Sequence, residues 1–320
     1  MNEPRQLVVV CRVLLPAGLE LLEQRYEVRT GGLDADRDRI MEIAPGAAAL
    51  IADPSVPVDG ELLDRCGESL RVVSNFAVGH DNVDLEACRE RGIAVTNTPD
   101  ALTEATAELA LALTLAAARR LSEAERDLRA GRWRGWDPAA YRGIELRGAK
   151  VGVVGLGRIG GRYAELVRAI GADLLYSSRS PKPEAEDELG ATRMGLAELL
   201  GAADVVSLHA PASEETHHLI GREQLDLIGP EGVLVNTSRG PLVDSSALAA
   251  ALREGRLGAA GLDVYEHEPE VPSELLDAPR CVLLPHIGSA TVPSRDGMAR
   301  LAAENVIAVL EGREPHSQVD

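Results

Sequence analysis

Three short segments hold side chains that could do chemistry together. Val235-Asn-Thr237-Ser-Arg239-Gly240 runs into an arginine. Gly261-Leu-Asp263-Val-Tyr-Glu-His-Glu268-Pro269 carries acids, and Leu284-Pro-His286-Ile-Gly288-Ser-Ala-Thr291 carries a histidine. Each follows an apolar run that reads as a strand. Ligands of open α/β sheets bind at the carboxyl ends of strands, so Arg239, Glu268 and His286 are expected to converge. Arginine grips a carboxylate with two parallel hydrogen bonds. Histidine ionises near neutrality and can protonate a forming alkoxide, and a neighbouring glutamate can orient its ring. Reduction of a 2-oxo acid needs those three functions. Taken singly, the three would read as a surface arginine, a turn histidine and a solvated glutamate. Three successive strand ends argue otherwise.

Upstream stands Val151-Gly-Val-Val-Gly155-Leu-Gly157-Arg158-Ile159-Gly160. With 31 glycines in the chain, the bare GxGxxG spacing is weak. Its context is specific, because an apolar strand precedes it and a helical pattern follows. The three glycines then allow a tight turn, close approach to a pyrophosphate, and helix–strand packing. The helix N-terminus adds unpaired N–H groups for the phosphates. Binders of NAD usually carry an acid about 20 residues on, for the ribose 2′-hydroxyl. Here that stretch is Tyr176-Ser-Ser178-Arg179-Ser180-Pro-Lys182, and Asp173 lies at the wrong end of the strand. An arginine fork accepts a 2′-phosphate. NADP is therefore expected over NAD, with Ser178, Arg179 and Ser180 in contact; the bland alternative is that Arg179 stacks on adenine and both cofactors bind.

The elements that must position these groups alternate between short apolar strands and helical patterns, as in an α/β fold with parallel sheets. Early strands are expected at 7–13, 47–52, 70–74 and 93–96. Six more are expected at 151–154, 173–176, 204–208, 233–236, 259–263 and 281–284, the number of a doubly wound nucleotide domain. One long helical stretch, 103–130, lies between the sets. Its segment LALALTLAAA is apolar on every side and is expected to be buried all round. Another helical pattern, 298–310, follows the second set.

Composition narrows the classes. The chain has 320 residues, 45% of them apolar, and a formal net charge of −18. A surface this acidic repels phosphate backbones and anionic membranes, so neither nucleic acid nor membrane is an expected partner. The apolar stretch 109–118 is about half of what a membrane span needs. Cys11, Cys66, Cys88 and Cys281 lie far apart, without metal-ligand or disulfide-scaffold spacing. The polar start MNEPRQ lacks a signal-peptide plan. These features set cytoplasmic location as the expectation. No metal is expected, because His217-His218 is an adjacent pair, and adjacent side chains rarely share an ion.

Together these motifs resemble the D-isomer-specific 2-hydroxyacid dehydrogenase family over essentially the whole chain. The residues that carry the likeness are 154–160, Leu208-His-Ala-Pro211, 235–240, 262–269 and 285–291. The resemblance implies an α/β fold of two doubly wound parallel-sheet domains. A Rossmann cofactor domain, 100–288, would be inserted into a flavodoxin-like substrate domain, 1–99 and 289–320. It implies that Arg239 binds substrate, that His286 is the acid/base and that Glu268 pairs with it. Asp263 would contact the nicotinamide carboxamide. Thr106, Pro211, Thr216, Thr237 and Gly288 match positions that usually touch cofactor. The segment Ser74-Asn-Phe-Ala-Val78-Gly79 resembles the loop whose amides hold the substrate carboxylate. A homodimer through the 100–140 region is also implied.

Within the family, phosphoglycerate enzymes tend to have basic residues in the loop after the early strand. Here it reads Ala52-Asp-Pro-Ser55-Val-Pro57, without a cation, and only 34 residues follow His286, too few for their usual regulatory tail. Gly131-Arg-Trp133-Arg-Gly-Trp136 and Tyr-Ser-Ser-Arg-Ser resemble the glyoxylate and hydroxypyruvate reductase branch. Ser55 and Trp136 count among the substrate contacts, Trp136 by reaching the neighbouring subunit or else serving as an interface anchor. Two rivals stay open: a dehydrogenase for D-lactate-like or bulkier substrates, and a nucleotide-sensing binding protein without turnover.

Overall fold

The structure is a computed structural model, and it describes residues 5–319. The chain divides into two compact units, one running to Leu102 and resuming at Ser289, the other Thr103–Gly288.

The first unit holds β1 (Leu7–Val10), β2 (Glu27–Thr30), β3 (Ala47–Ala52), β4 (Val72–Asn75) and β5 (Ala94–Thr96), parallel in the order β2-β1-β3-β4-β5. That is the flavodoxin-like order. A short strand from the end of the chain, Gln318–Val319, adds antiparallel to β5. Strands β1, β3 and β4 are buried at every position, which is why they read as unbroken apolar runs. The helix Val292–Leu310 lies against Pro16–Glu23, where a Cβ on Gly18 would come within 2.2 Å of the Ala299 carbonyl oxygen. Only a glycine permits that approach.

The second unit holds β6 (Lys150–Val154), β7 (Asp173–Ser177), β8 (Thr192–Arg193), β9 (Val205–Leu208), β10 (Val233–Asn236), β11 (Ala259–Leu262) and β12 (Cys281–Leu283). All pair in parallel, in the order β12-β11-β10-β9-β6-β7-β8. This is the doubly wound dinucleotide-binding order with an extra edge strand, and the order reverses between β6 and β9.

The long helical stretch differs from the expectation. It forms two helices, Thr103–Ala118 and Leu121–Arg129, broken at Arg120, whose backbone is left-handed at φ 54°. The first is not buried all round. Ala110, Leu113, Thr114 and Ala117 are buried, but Leu115 is exposed. An all-apolar helix on one side of a sheet still turns one face outward.

Candidate active site and dinucleotide cradle

The cradle begins where β6 ends. Gly155 turns at φ 93°, and its N–H donates to the Ser177 carbonyl at 2.9 Å. A Cβ there would stand 2.8 Å from the backbone of His209 and Ala210, at the end of β9. A Cβ on Gly160 would come within 2.1 Å of the Gly155 carbonyl oxygen, so the first helical turn is pressed onto the loop. Gly157 is the opposite case, because a Cβ on it would meet nothing within 4 Å. Gly157 also caps the helix Arg158–Ile170 with no side chain bonded to the first N–H groups. Packing occupies two glycines, while the third faces open space at a helix N-terminus. Ile159 is half-buried in the first turn, beside Arg158.

After β7, the Ser178 hydroxyl donates to the Ser180 carbonyl at 2.6 Å. Arg193, on β8, donates to the carbonyls of Ser178 and Arg179 at 3.1 and 3.2 Å. Sequence reasoning misses Arg193, because nothing local shows that the next short strand returns beneath this loop. Arg179 itself is exposed. Farther along the strand ends, the Thr216 hydroxyl donates to the Pro211 carbonyl at 2.8 Å. The Thr237 hydroxyl is buried without a hydrogen-bond partner. Buried hydroxyls are normally satisfied, so an orphan lining this row suits a ligand with polar groups. The glycine turn, the uncapped helix end and Thr237 together fit a dinucleotide.

The carboxyl ends of β10, β11 and β12 carry the reactive trio. Gly240 fits against the next loop so closely that a Cβ would fall 1.9 Å from the Tyr265 carbonyl carbon. The turn before it is fixed by Asn236, which donates to the Arg239 carbonyl at 2.8 Å. Gly240→Ala is therefore expected to cost about 1–3 kcal/mol of stability through overpacking. The midpoint of denaturant unfolding would show it.

Asp263 follows β11, buried. Its two carboxylate oxygens accept from the N–H groups of Ile287 and Gly288 at 2.8 and 2.7 Å, and its carbonyl accepts from the His286 N–H at 2.9 Å. Burial carries its carboxyl above the ordinary value in spite of those donors. The Thr106 hydroxyl donates to the Gly288 carbonyl at 3.2 Å, closing the same turn from the helix Thr103–Ala118. This clamp holds His286 in the left-handed region, at φ 53°. A non-glycine residue is held there at a cost of about 1–3 kcal/mol, so the clamp fixes the backbone from which the ring projects.

His286 Nδ1 lies 2.6 Å from Glu268 Oε2. The other oxygen of Glu268 accepts from the Tyr265 N–H at 3.0 Å, and the Tyr265 hydroxyl donates to the Leu284 carbonyl at 2.9 Å. Tyr265 thus joins the two loops, a part that sequence reasoning does not give it. Burial pushes the Glu268 carboxyl up. The hydrogen bond and charge of His286, the Tyr265 N–H and the charge of Arg239 outweigh it and hold Glu268 below its ordinary value. Arg239 is close enough to be felt there. With Nδ1 engaged, Nε2 is the nitrogen left to exchange a proton with a substrate.

His209 is a histidine of another kind. Its Nε2 lies 2.9 Å from the Ser207 hydroxyl, its ring stands 5.0 Å from that of Tyr163, and burial drives its imidazole down to about 3. It packs, neutral, behind the glycine turn.

In the first unit, the carbonyls of Val78 and Gly79 accept from Asn97 and Asn75 at 2.8 and 2.7 Å. Among the described residues their N–H groups make no backbone–backbone hydrogen bond. The loop 52–57 has no cation of its own. The fold nevertheless brings Arg12 to it, 2.8 Å from the Ser55 hydroxyl and 3.8 Å from Asp53. The Ser55 hydroxyl also donates to Asp53 at 2.5 Å. Trp136 is 85% exposed and Trp133 60% exposed. All four cysteines are buried thiols, and no helix among the described residues is long and apolar enough to cross a membrane.

A doubly wound sheet with this cradle beside an Arg–Glu–His set defines a nicotinamide-dependent oxidoreductase. The model of the D-isomer specific 2-hydroxyacid dehydrogenase NAD binding domain matches residues 111–288. The glyoxylate reductase of Thermococcus litoralis is 43% identical over 98% of this chain and 96% of its own. That of Aeropyrum pernix is 45% identical over 100% and 97%. The NADPH-dependent glyoxylate/hydroxypyruvate reductase of Sinorhizobium meliloti, solved with NADP and malonate, superposes with a TM-score of 0.85 at 36% identity, covering 98% of this chain and 97% of that one. The chain belongs to the D-isomer specific 2-hydroxyacid dehydrogenase family.

Proposed function

We propose that this enzyme reduces the small 2-oxo acids glyoxylate and hydroxypyruvate, to glycolate and a D-hydroxy acid respectively. The His286–Glu268 contact, with the charge of Arg239 reaching it from the neighbouring strand end, carries the reading. The glyoxylate reductases at 43% and 45% identity support the substrate class. Residues 155–160 would hold the pyrophosphate, and Thr106, Pro211, Thr216, Thr237, Asp263 and Gly288 the rest of the cofactor. When bound, the reduced nicotinamide supplies the hydride. Arg239 binds the substrate carboxylate through its fork. His286 gives the proton from Nε2 to the oxygen that becomes the hydroxyl. Glu268 fixes the ring through Nδ1. The test is kcat/KM across a panel of 2-oxo acids. Highest values for glyoxylate and hydroxypyruvate support the reading, and a bulky branched acid far above both overturns it.

NADP is the preferred cofactor in this proposal. No acid stands among residues 178–182 after β7, and the exposed Arg179 stands on a loop whose backbone Arg193 holds. Arg179→Ala is expected to raise the KM for NADPH about 10-fold or more, as loss of a charge-assisted contact of about 1.5–3 kcal/mol implies, and to leave that for NADH nearly unchanged. Equal KM changes for both nucleotides would remove the assignment.

A homodimer completes the proposal. Leu121, Leu128, Trp133 and Trp136 are all more than half exposed in the single chain, and large exposed apolar side chains in one segment mark an interface. Light scattering should give twice the chain mass. Trp133→Ser with Trp136→Ser should lower it. Any substrate contact by Trp136 then depends on the second copy.

A further inference from the structure

We propose that His217, His218 and Glu266 form a binding site for a borderline divalent ion of the zinc class, separate from the reactive trio. Adjacent side chains ordinarily diverge. Here they do not, because His218 adopts a left-handed backbone at φ 49°, and the two imidazole rings stack with centroids 4.0 Å apart. The turn is anchored by the His218 N–H, which donates to the Pro241 carbonyl at 2.8 Å. Glu266 comes from the loop after β11. Its Oε2 lies 2.8 Å from His218 Nε2, while its Oε1 accepts from the Ser245 N–H at 2.8 Å, which fixes the carboxylate in place. One ligand atom from each of the three residues lies within 4.8 Å of the others.

Two imidazoles and a carboxylate are a ligand set that zinc takes, with a fourth position left to water. Donors at about 2.1 Å from one tetrahedral ion lie about 3.4 Å apart, so modest side-chain rotation closes the site. Nitrogen donors exclude calcium and magnesium, which take oxygen, and favour zinc, copper or nickel. An ion there would tie the segment around Thr216–His218 to the loop that leads to Glu268. The inference does not depend on the reductase reading.

The test uses the full chain without an affinity tag, stripped with a chelator and dialysed against cobalt(II) or zinc(II). One ion per chain is expected, with visible cobalt absorption of nitrogen and oxygen ligation and a higher Tm in zinc. His217→Phe keeps a ring stacked on His218 and removes only the ligand atom, so affinity should fall at least 10-fold and the Tm rise should vanish. His217→Ala carries the same test should the phenylalanine variant fail to fold. No binding at micromolar ion, or equal binding by wild type and variant, overturns the site.

Discussion

His286→Asn is expected to lower kcat with glyoxylate by about 100- to 10,000-fold, the range that a positioned proton donor contributes. Asparagine suits the site because, like histidine, it tolerates the left-handed backbone. The turn held by Asp263 at Ile287 and Gly288 should therefore survive, and the folded enzyme should still bind nucleotide. The loss should fall on kcat far more than on KM, since the proton moves only in the transition state. A variant with wild-type kcat would remove His286 from the chemistry. A variant that no longer binds nucleotide would mean that the imidazole, and not the Asp263 clamp, holds the turn together.

Arg239→Gln is the second large effect. Asn236 and the close fit of Gly240 hold its backbone, although its guanidinium also donates to the Ser238 carbonyl at 2.9 Å. Removing the charge and the fork should cost about 2–5 kcal/mol, or about 30- to 4,000-fold in kcat/KM, as for loss of one partner of a buried charge pair. Arg239→Lys should recover only part of this, because an ammonium keeps the charge and not the two parallel bonds. Substrate saturation curves for the two variants show it. Full recovery by lysine would mean that a point charge suffices and that no bidentate grip exists.

Both effects rest on residues that are legible in the sequence. Arg239, Glu268 and His286 announce themselves because each lies a few residues after an apolar strand, and the interior parallel strands read as unbroken apolar runs. Two of the edge strands give no such signal. Strand β2 is the polar EVRT, largely exposed, and β8 is two exposed residues. Both exist by pairing with an interior neighbour, which local pattern does not encode. The helix break at Arg120 is hidden for a similar reason, since a left-handed arginine has no propensity signature. What lies furthest from reach is support across long sequence separations. Tyr265 reaches Leu284, Arg193 returns beneath Ser178 and Arg179, and Arg12 meets Ser55. The left-handed turn at His218 likewise changes an adjacent histidine pair from divergent to stacked.

The most direct measurement is the initial rate of loss of reduced nicotinamide with glyoxylate, run side by side for wild type, His286→Asn and Arg239→Gln. Rapid NADPH oxidation by wild type, with both variants at least about 30-fold slower in kcat/KM, is the expected result. Wild type inert towards glyoxylate and hydroxypyruvate with either nucleotide, or variants as fast as wild type, would contradict it.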